Sequence, residues 1–273
     1  MTGPGFEMID AEMRTDLEDG GGAGGAFVAL SRNDARTMRR RQHFVYLLRS
    51  SHMLKLGTAI VVVALFLTAF GPMLAPDSTT SQSGLFLQSP SLGHLFGTDS
   101  SGFDVLSRTL AAPRIDVLIA IGATLLSFIA GSLVGLLASA TRGRTGALVM
   151  RISDTIQASP LFVLAVVFVV LAGRSSINTI LVISTLQLPI YLRLIRSEVL
   201  SLRERTFIEA ARANGDSSFS IALRHILPNA LTPAFAQAPI TFGFSILVAA
   251  GLSFIGAGTT PPTPEWGSMI SAG

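Results

Sequence analysis

The chain contains no cysteine, which excludes a disulfide framework and thiol chemistry. Among its 20 basic residues there is one lysine, Lys55. A phosphate-binding P-loop needs a lysine beside Ser or Thr after a Gly-rich turn. Lys55 stands in Leu-Lys-Leu-Gly, so the chain has no P-loop and any ATP must be held by another subunit. The four histidines, at 43, 52, 94 and 225, are scattered without metal-ligand spacing. The strings G-x-S-x-G and H-E-x-x-H are absent, which argues against an intramembrane hydrolase. Charge is scarce at 14%, against 49% hydrophobic residues, and the mean hydropathy is clearly positive. This is the composition of a membrane protein. The arginines sit beside apolar runs, which fits loops at a membrane surface and gives no reason to invoke nucleic acid.

Residues 1–54 read as a cytoplasmic tail. The stretch Glu7–Asp19 is acidic and Gly20–Gly25 is nearly all glycine, too polar to offset the entropy of ordering. No apolar region follows the first residues, so a signal peptide is not expected. Arg36, Arg39, Arg40 and Arg41 cluster ahead of the first apolar run, as a topology signal would. The first transmembrane helix is expected within 55–76, from Leu56 to Ala75, about the 20 residues a bilayer core requires. Residues 77–114 then form an extracytoplasmic loop. In it Ser101 and Asp104 have capping-box spacing and should open a short amphipathic helix.

The second span is expected from Ile115 to Ala140. Ser127, Gly131, Gly135 and Ser139 recur every four residues, a ladder that lets membrane helices pack closely. Asp116 is placed to pair with Arg114. A third helix, 148–172, carries Asp154, Gln157 and Pro160 in its first half and should be amphipathic or kinked there; Asp154 is placed to pair with Arg151. The fourth span, 177–192, is polar at Gln187 and Tyr191. The fifth, 231–258, carries Gln237, Thr241 and Ser245 on one face. Gln187, Tyr191, Gln237, Thr241 and Ser245 are the candidates to line a translocation path. The stripe on the fifth span fits interhelical hydrogen bonding equally well. With the N-terminus inside, only Arg108, Arg114 and Arg174 of the 20 basic residues fall in outer segments. This bias puts residues 193–230 in the cytoplasm.

Between the fourth and fifth spans lies a polar, helix-prone segment from Thr206 to Asn229. Thr206 and Glu209 have capping-box spacing. Ala210, Ala211 and Ala213 leave the backbone open to close approach. Gly215 supplies the left-handed residue that ends a helix. Asp216 or Ser217 can cap a second short helix, Phe219–His225, stopped by Pro228. The expectation is a rigid knob.

Glu209-Ala210-Ala211, Gly215 and Leu227-Pro228 resemble the EAA loop of the membrane subunits of binding-protein-dependent ABC importers. The family usually has Ile two residues before the Leu; here His225 holds that position and Ile226 follows. His94 to Arg108 resembles the G-T-D-x-x-G-R-D-x-L-S-R signature of the C-type subunit of dipeptide and oligopeptide permeases, with Phe103 in place of the usual Arg. Pro264-Glu265-Trp266-Gly267-Ser268-Met269 resembles the same family.

The resemblance implies an all-α integral membrane protein, a type I importer domain over 115–273 with its coupling loop at 200–230. Five spans are visible and the family's sixth is not. It implies ATPase coupling through Thr206, Phe207, Glu209, Ala210, Ala211, Gly215, Leu227 and Pro228. Its implied partners are a homologous permease subunit, two ATPase subunits or one two-domain ATPase, and an extracytoplasmic substrate-binding protein. No cofactor is expected on this chain; ATP and Mg belong to the partners. The implied location is the plasma (inner) membrane. Nickel permeases are similar enough that a metal chelate is an alternative cargo. A stand-alone channel or secondary transporter would show inverted repeats or charged pairs at the midplane, and neither is visible.

Overall fold

A computed structural model describes residues 51–140 and 144–272. The tail expected over 1–54 therefore lies almost wholly outside the described residues, as does its arginine cluster. The described chain is helical, with no strand among the described residues. It divides into two compact units, up to Val63 and from Ala64 onward. In the first, α1 (His52–Leu74) begins, and its Ile60, Val61, Val62 and Val63 are exposed, as lipid-facing residues are.

The second unit holds the end of α1 and then α2 (Val105–Ala140), α3 (Arg144–Ala158), α4 (Leu161–Ala172), α5 (Ser176–Arg203), α6 (Thr206–Ala213), α7 (Ser218–Ile221), α8 (Leu227–Phe254) and α9 (Trp266–Ala272). Helices α1, α2, α5 and α8, the last with the turn before it, are long and apolar enough to cross a membrane. Helices α3 and α4 pass the same test together but are bent by 96°. The kink expected near Pro160 is thus a break, because Pro160 precedes α4 with φ −59 and ψ 111 and pushes its neighbour out of helical geometry.

Helix α2 starts ten residues before the expected second span. Asp104 caps it directly: Asp104 Oδ2 accepts from the Ser107 amide at 2.8 Å. The box expected between Ser101 and Asp104 is not formed, because Asp104 stands at the cap position itself. The helix also runs through Pro113. A proline cannot donate to the carbonyl four residues back, here Thr109. That carbonyl instead accepts from Trp266 Nε1 at 3.3 Å, so a distant indole replaces the bond that Pro113 removes.

The core is the seam of α2, α5 and α8. The small-residue ladder of α2 lies on it. A Cβ at Gly131 would sit 2.7 Å from the Leu188 carbonyl oxygen, and one at Gly135 would sit 2.7 Å from that of Leu192. Ser127 and Ser139 are buried beside them. One apolar cluster joins Ile119 and Ala123 of α2, Ala165 and Val169 of α4, Ile183 and Leu186 of α5, and Val248 and Leu252 of α8. A second joins Ile195 and Val199 of α5 to Ile208 and Ala211 of α6 and Ala230 and Ala234 of α8. The second cluster seats the knob.

Candidate functional site

The knob is built by local rules. Helix α5 ends with Glu204 and Arg205 donating backward to Ser201 and Leu202. The Ile208 amide then donates to the Arg205 carbonyl, so Arg205 is the cap of α6, without a side-chain capping bond. The expected Thr206–Glu209 box is therefore not formed: Thr206 is already the first helical residue, one position too late to cap. Gly215 ends the helix with φ +84, a left-handed backbone that favours glycine. The Asp216 amide donates to the Ala211 carbonyl at 3.1 Å, the long bond of a Schellman turn. Of the two candidate caps for α7, Ser217 serves: its Oγ accepts from the Ser220 amide at 3.2 Å.

Pro228 does not stop the next helix. Residues Ala222–Ile226 form a π-helical turn, in which the Leu227 amide reaches back to the Ala222 carbonyl. The chain continues into α8 with Pro228 in the first turn, where a missing N–H is tolerated. A π turn carries one extra residue. This accounts for the one-residue shift of the apolar position: Ile226 is buried in the second cluster, while the His225 side chain stays 40% exposed.

The alanines of α6 divide by face. Ile208 and Ala211 point into the chain's own core, while Thr206, Phe207, Glu209, Ala210 and Ala213 are exposed. Ala211, expected to admit a partner, instead seats the helix on its own subunit, because it stands three residues from Ile208 on the inner face. The outward surface is that of Phe207 and Ala210, also three apart. Thus Thr206, Phe207, Glu209, Ala210 and Gly215 come together at the surface, and Leu227 and Pro228 lie beyond the π turn at the base of α8.

The candidate path residues lie elsewhere. Gln187, Tyr191, Thr241 and Ser245 are buried within the chain. Ser245 Oγ lies 3.1 Å from both amide atoms of Gln187, 3.3 Å from Thr124 Oγ1 and 2.9 Å from the Thr241 carbonyl. Tyr191 packs edge-on against Phe128, centroids 5.4 Å apart. Gln237 is half-buried, and its carbonyl accepts from Thr241 Oγ1. In this arrangement Gln187, Thr241 and Ser245 join Thr124 in a hydrogen-bonded knot that ties α2, α5 and α8 together. A hydroxyl inside a membrane bundle gains more from a neighbouring helix than from standing unpaired.

At the end of the bundle away from the knob, the structure assembles residues that the sequence left apart. Glu265 and Asp116 are both buried. Glu265 accepts from Ser253 Oγ and, at 3.1 Å, from the Thr259 amide. Asp116 accepts from the Trp266 amide at 3.1 Å. The expected Asp116–Arg114 pair is not formed: two residues apart on a helix they do not face each other, and Arg114 is exposed. Asp154 pairs with Arg193 of α5 at 2.7 Å instead of with Arg151. Arg203 donates to the Ser139 carbonyl at 2.8 Å, tying the end of α5 to that of α2.

This bundle defines a multi-pass α-helical membrane protein with a compact knob between two of its spans. Residues 127–273, more than half of the chain, match the family described as binding-protein-dependent transport system inner membrane component. The chain belongs to that family: it is a permease subunit of such a transport system. It is 36% identical over 223 residues to the di/tripeptide transport system permease protein DppC of Pseudomonas aeruginosa, covering 79% of this chain and 74% of that one. It is 38% identical over 226 residues to the dipeptide transport system permease protein DppC of Alkalihalophilus pseudofirmus, covering 82% and 74%. To the glutathione transport system permease protein GsiD of Escherichia coli O6:K15:H31 it is 36% identical over 225 residues, again covering 82% and 74%.

Proposed function

We propose that this chain is the C-type permease subunit of an ATP-driven importer of di- or oligopeptides, and that α6 docks on the ATPase. The observation that carries the coupling role is the division of α6: Ile208 and Ala211 anchor it while Phe207 and Ala210 are presented outward, with Gly215 holding its end. A helix packed into its own core by one face moves as a rigid body with the subunit. When ATP closes the ATPase pair, the docked helix is carried along and the bundle attached to it rocks. Coupling of this kind needs contacts that differ between two states, and the exposed face supplies them. The chain itself performs no covalent chemistry; ATP and Mg belong to the ATPase subunits. A homologous permease subunit completes the membrane pair, and an extracytoplasmic binding protein delivers cargo. The charge bias supports a cytoplasmic N-terminus and knob. The relatives described above, which are peptide and glutathione transport systems, favour peptides over a metal chelate.

The test is purification of the tagged chain from its native membrane in gentle detergent, with mass spectrometry of what accompanies it. A P-loop ATPase and a second multi-span permease are expected. Recovery of the chain alone or as a homo-oligomer, with transport intact, would overturn the proposal in favour of a channel or secondary transporter.

A further inference from the structure

The loop joining α1 to α2 is a built structure. Its two limbs pair in antiparallel fashion: the Ser83 amide donates to Gly102 at 2.8 Å, Leu87 to Asp99 at 3.2 Å, and Thr98 back to Gln88 at 3.1 Å. The Gln88 amide donates to Thr98 Oγ1, and Gly97 closes the tip on the His94 carbonyl. The base is fixed to the start of α2, where His94 Nδ1 lies 2.9 Å from Asp104 Oδ1 and Ser107 Oγ accepts from the Asp77 amide.

This ordered loop exposes Leu85, Phe86, Leu87, Leu92, Leu95 and Phe96. Leu92 is 100% exposed and Leu87 74%. Leu87 also has φ +51, the only positive φ on a non-glycine residue among the described residues. A leucine held in a left-handed backbone with its side chain in water is unfavourable on both counts. Such strain persists where the surroundings over-determine it and clusters at functional contacts, and exposed apolar patches mark interaction sites.

Three coverings compete. The hydrocarbon core does not admit lipid-exposed irregular backbone. An anionic lipid surface attracts Lys and Arg, but no Lys or Arg lies between Lys55 and Arg108, while Asp77, Asp99 and Asp104 do. Protein remains, with an apolar centre and a rim that is neutral or basic opposite Asp77 and Asp99. A binding protein that leaves in every cycle would return these six side chains to water each time. Permanent interfaces are the more apolar ones and resemble a core cut in half.

We propose that residues 85–96 are a clasp that seats on the outer face of the second membrane subunit and stays there throughout the transport cycle. This rests on the reading of the chain as one half of a membrane pair.

The absence of cysteine makes the test clean. Leu92→Cys places one thiol on the clasp, and Gln82→Cys places a control on the same loop outside it. Each is reconstituted into lipid discs, as the chain alone and as the purified transporter, and treated with a membrane-impermeant maleimide with and without binding protein. Leu92→Cys is expected to react in the chain alone and to lose labelling in the transporter whether or not binding protein is present, while Gln82→Cys reacts throughout. Protection of Leu92→Cys in the chain alone would assign the patch to lipid, and protection only on adding binding protein would assign it to that docking site. Labelling in every sample would leave the patch uncovered. Each of these three overturns the clasp while leaving the transporter reading intact. Absence of a second membrane subunit from the purified sample, seen by mass spectrometry, removes the paired reading itself and the clasp with it.

Discussion

The two ends of this bundle are made differently. At the knob, backbone turns and one glycine do the shaping: the bonds that end α5, cap α6 and close the Gly215 turn all run between residues at most five apart. At the opposite rim, groups far apart in the chain hold one another. The Trp266 amide reaches Asp116 across 150 residues and its indole reaches Thr109 across 157, while Glu265 ties down Ser253 and Thr259. The difference separates two tasks. A locally shaped element keeps its form while it changes neighbours. A cross-linked rim keeps its neighbours and so, under the coupling proposed above, would hold the bundle together as the knob end moves.

The largest effects test the knob. Gly215→Val forces a branched side chain into a left-handed backbone, at about 1–2 kcal/mol, although no atom lies within 4 Å of the position. Uptake is expected to be lost while the protein still inserts at normal abundance. Ala210→Arg sharpens this. The residue is exposed, so stability should change by less than about 0.5 kcal/mol while uptake disappears. Ala211→Arg would instead drive a charge into the second apolar cluster and lower abundance. Normal uptake by Ala210→Arg would break the division of faces.

Next comes the rim. Glu265→Ala leaves a buried hydroxyl and an amide without their acceptor, and should lower the stability of the purified transporter by about 3 kcal/mol, read from thermal unfolding in detergent. An unchanged melting temperature would mean that the rim is not a fastening. Smaller again is the buried knot: Ser245→Ala should cost about 0.6 kcal/mol, typical of interhelical bonds in membranes. The pair Ser245→Ala and Gln187→Leu should be less than additive in a double-mutant cycle, because both remove one contact.

The smallest effect is a pH dependence at the base of the outer loop. Burial pushes the Asp104 carboxyl upward, but hydrogen bonds from Ser107 and His94 and the charge of His94 outweigh it and hold the group below its ordinary 3.8. A carboxyl depressed in the folded state stabilises above its unfolded value and ceases to do so as pH falls through the folded one. Hydrogen exchange of residues 94–107 should therefore gain nothing from mild acid and rise only below 3.8, and Asp104→Asn should remove that step. His94 faces Asp104 and also lies 4.0 Å from Asp77, so the difference between wild type and Asp104→Asn is the quantity to compare.

What could be read from the sequence follows the same division. Gly215, the four-residue ladder of α2 and the bend at Pro160 are local signals, and each stands where local rules put it, although the bend is a full break and not the expected kink. The capping box failed by one residue, because the start of α6 depends on where α5 ends. Pro228 failed as a stop because it falls in the first turn of α8, where a missing N–H is tolerated. The pairings of Asp116 and Asp154 failed because their partners lie on other helices, at Trp266 and Arg193, and nearness in sequence does not report on that. The polar stripe of α8 was legible as a stripe. Only the placement of Gln187 and Thr124 against it decides that it joins helices in this arrangement.

Helix α2 carries one consequence further. From Thr109 to Ser139 it runs about 45 Å at 1.5 Å per residue, longer than the ~30 Å hydrocarbon layer. A carbonyl near each end is taken by a side chain from another segment: Trp266 holds Thr109 and Arg203 holds Ser139. The helix is thus a strut pinned at both ends, one pin beside the stem of the knob and the other in the opposite rim. Under the coupling proposed above, a tilt imposed at the knob end would be borne by both fastenings at once.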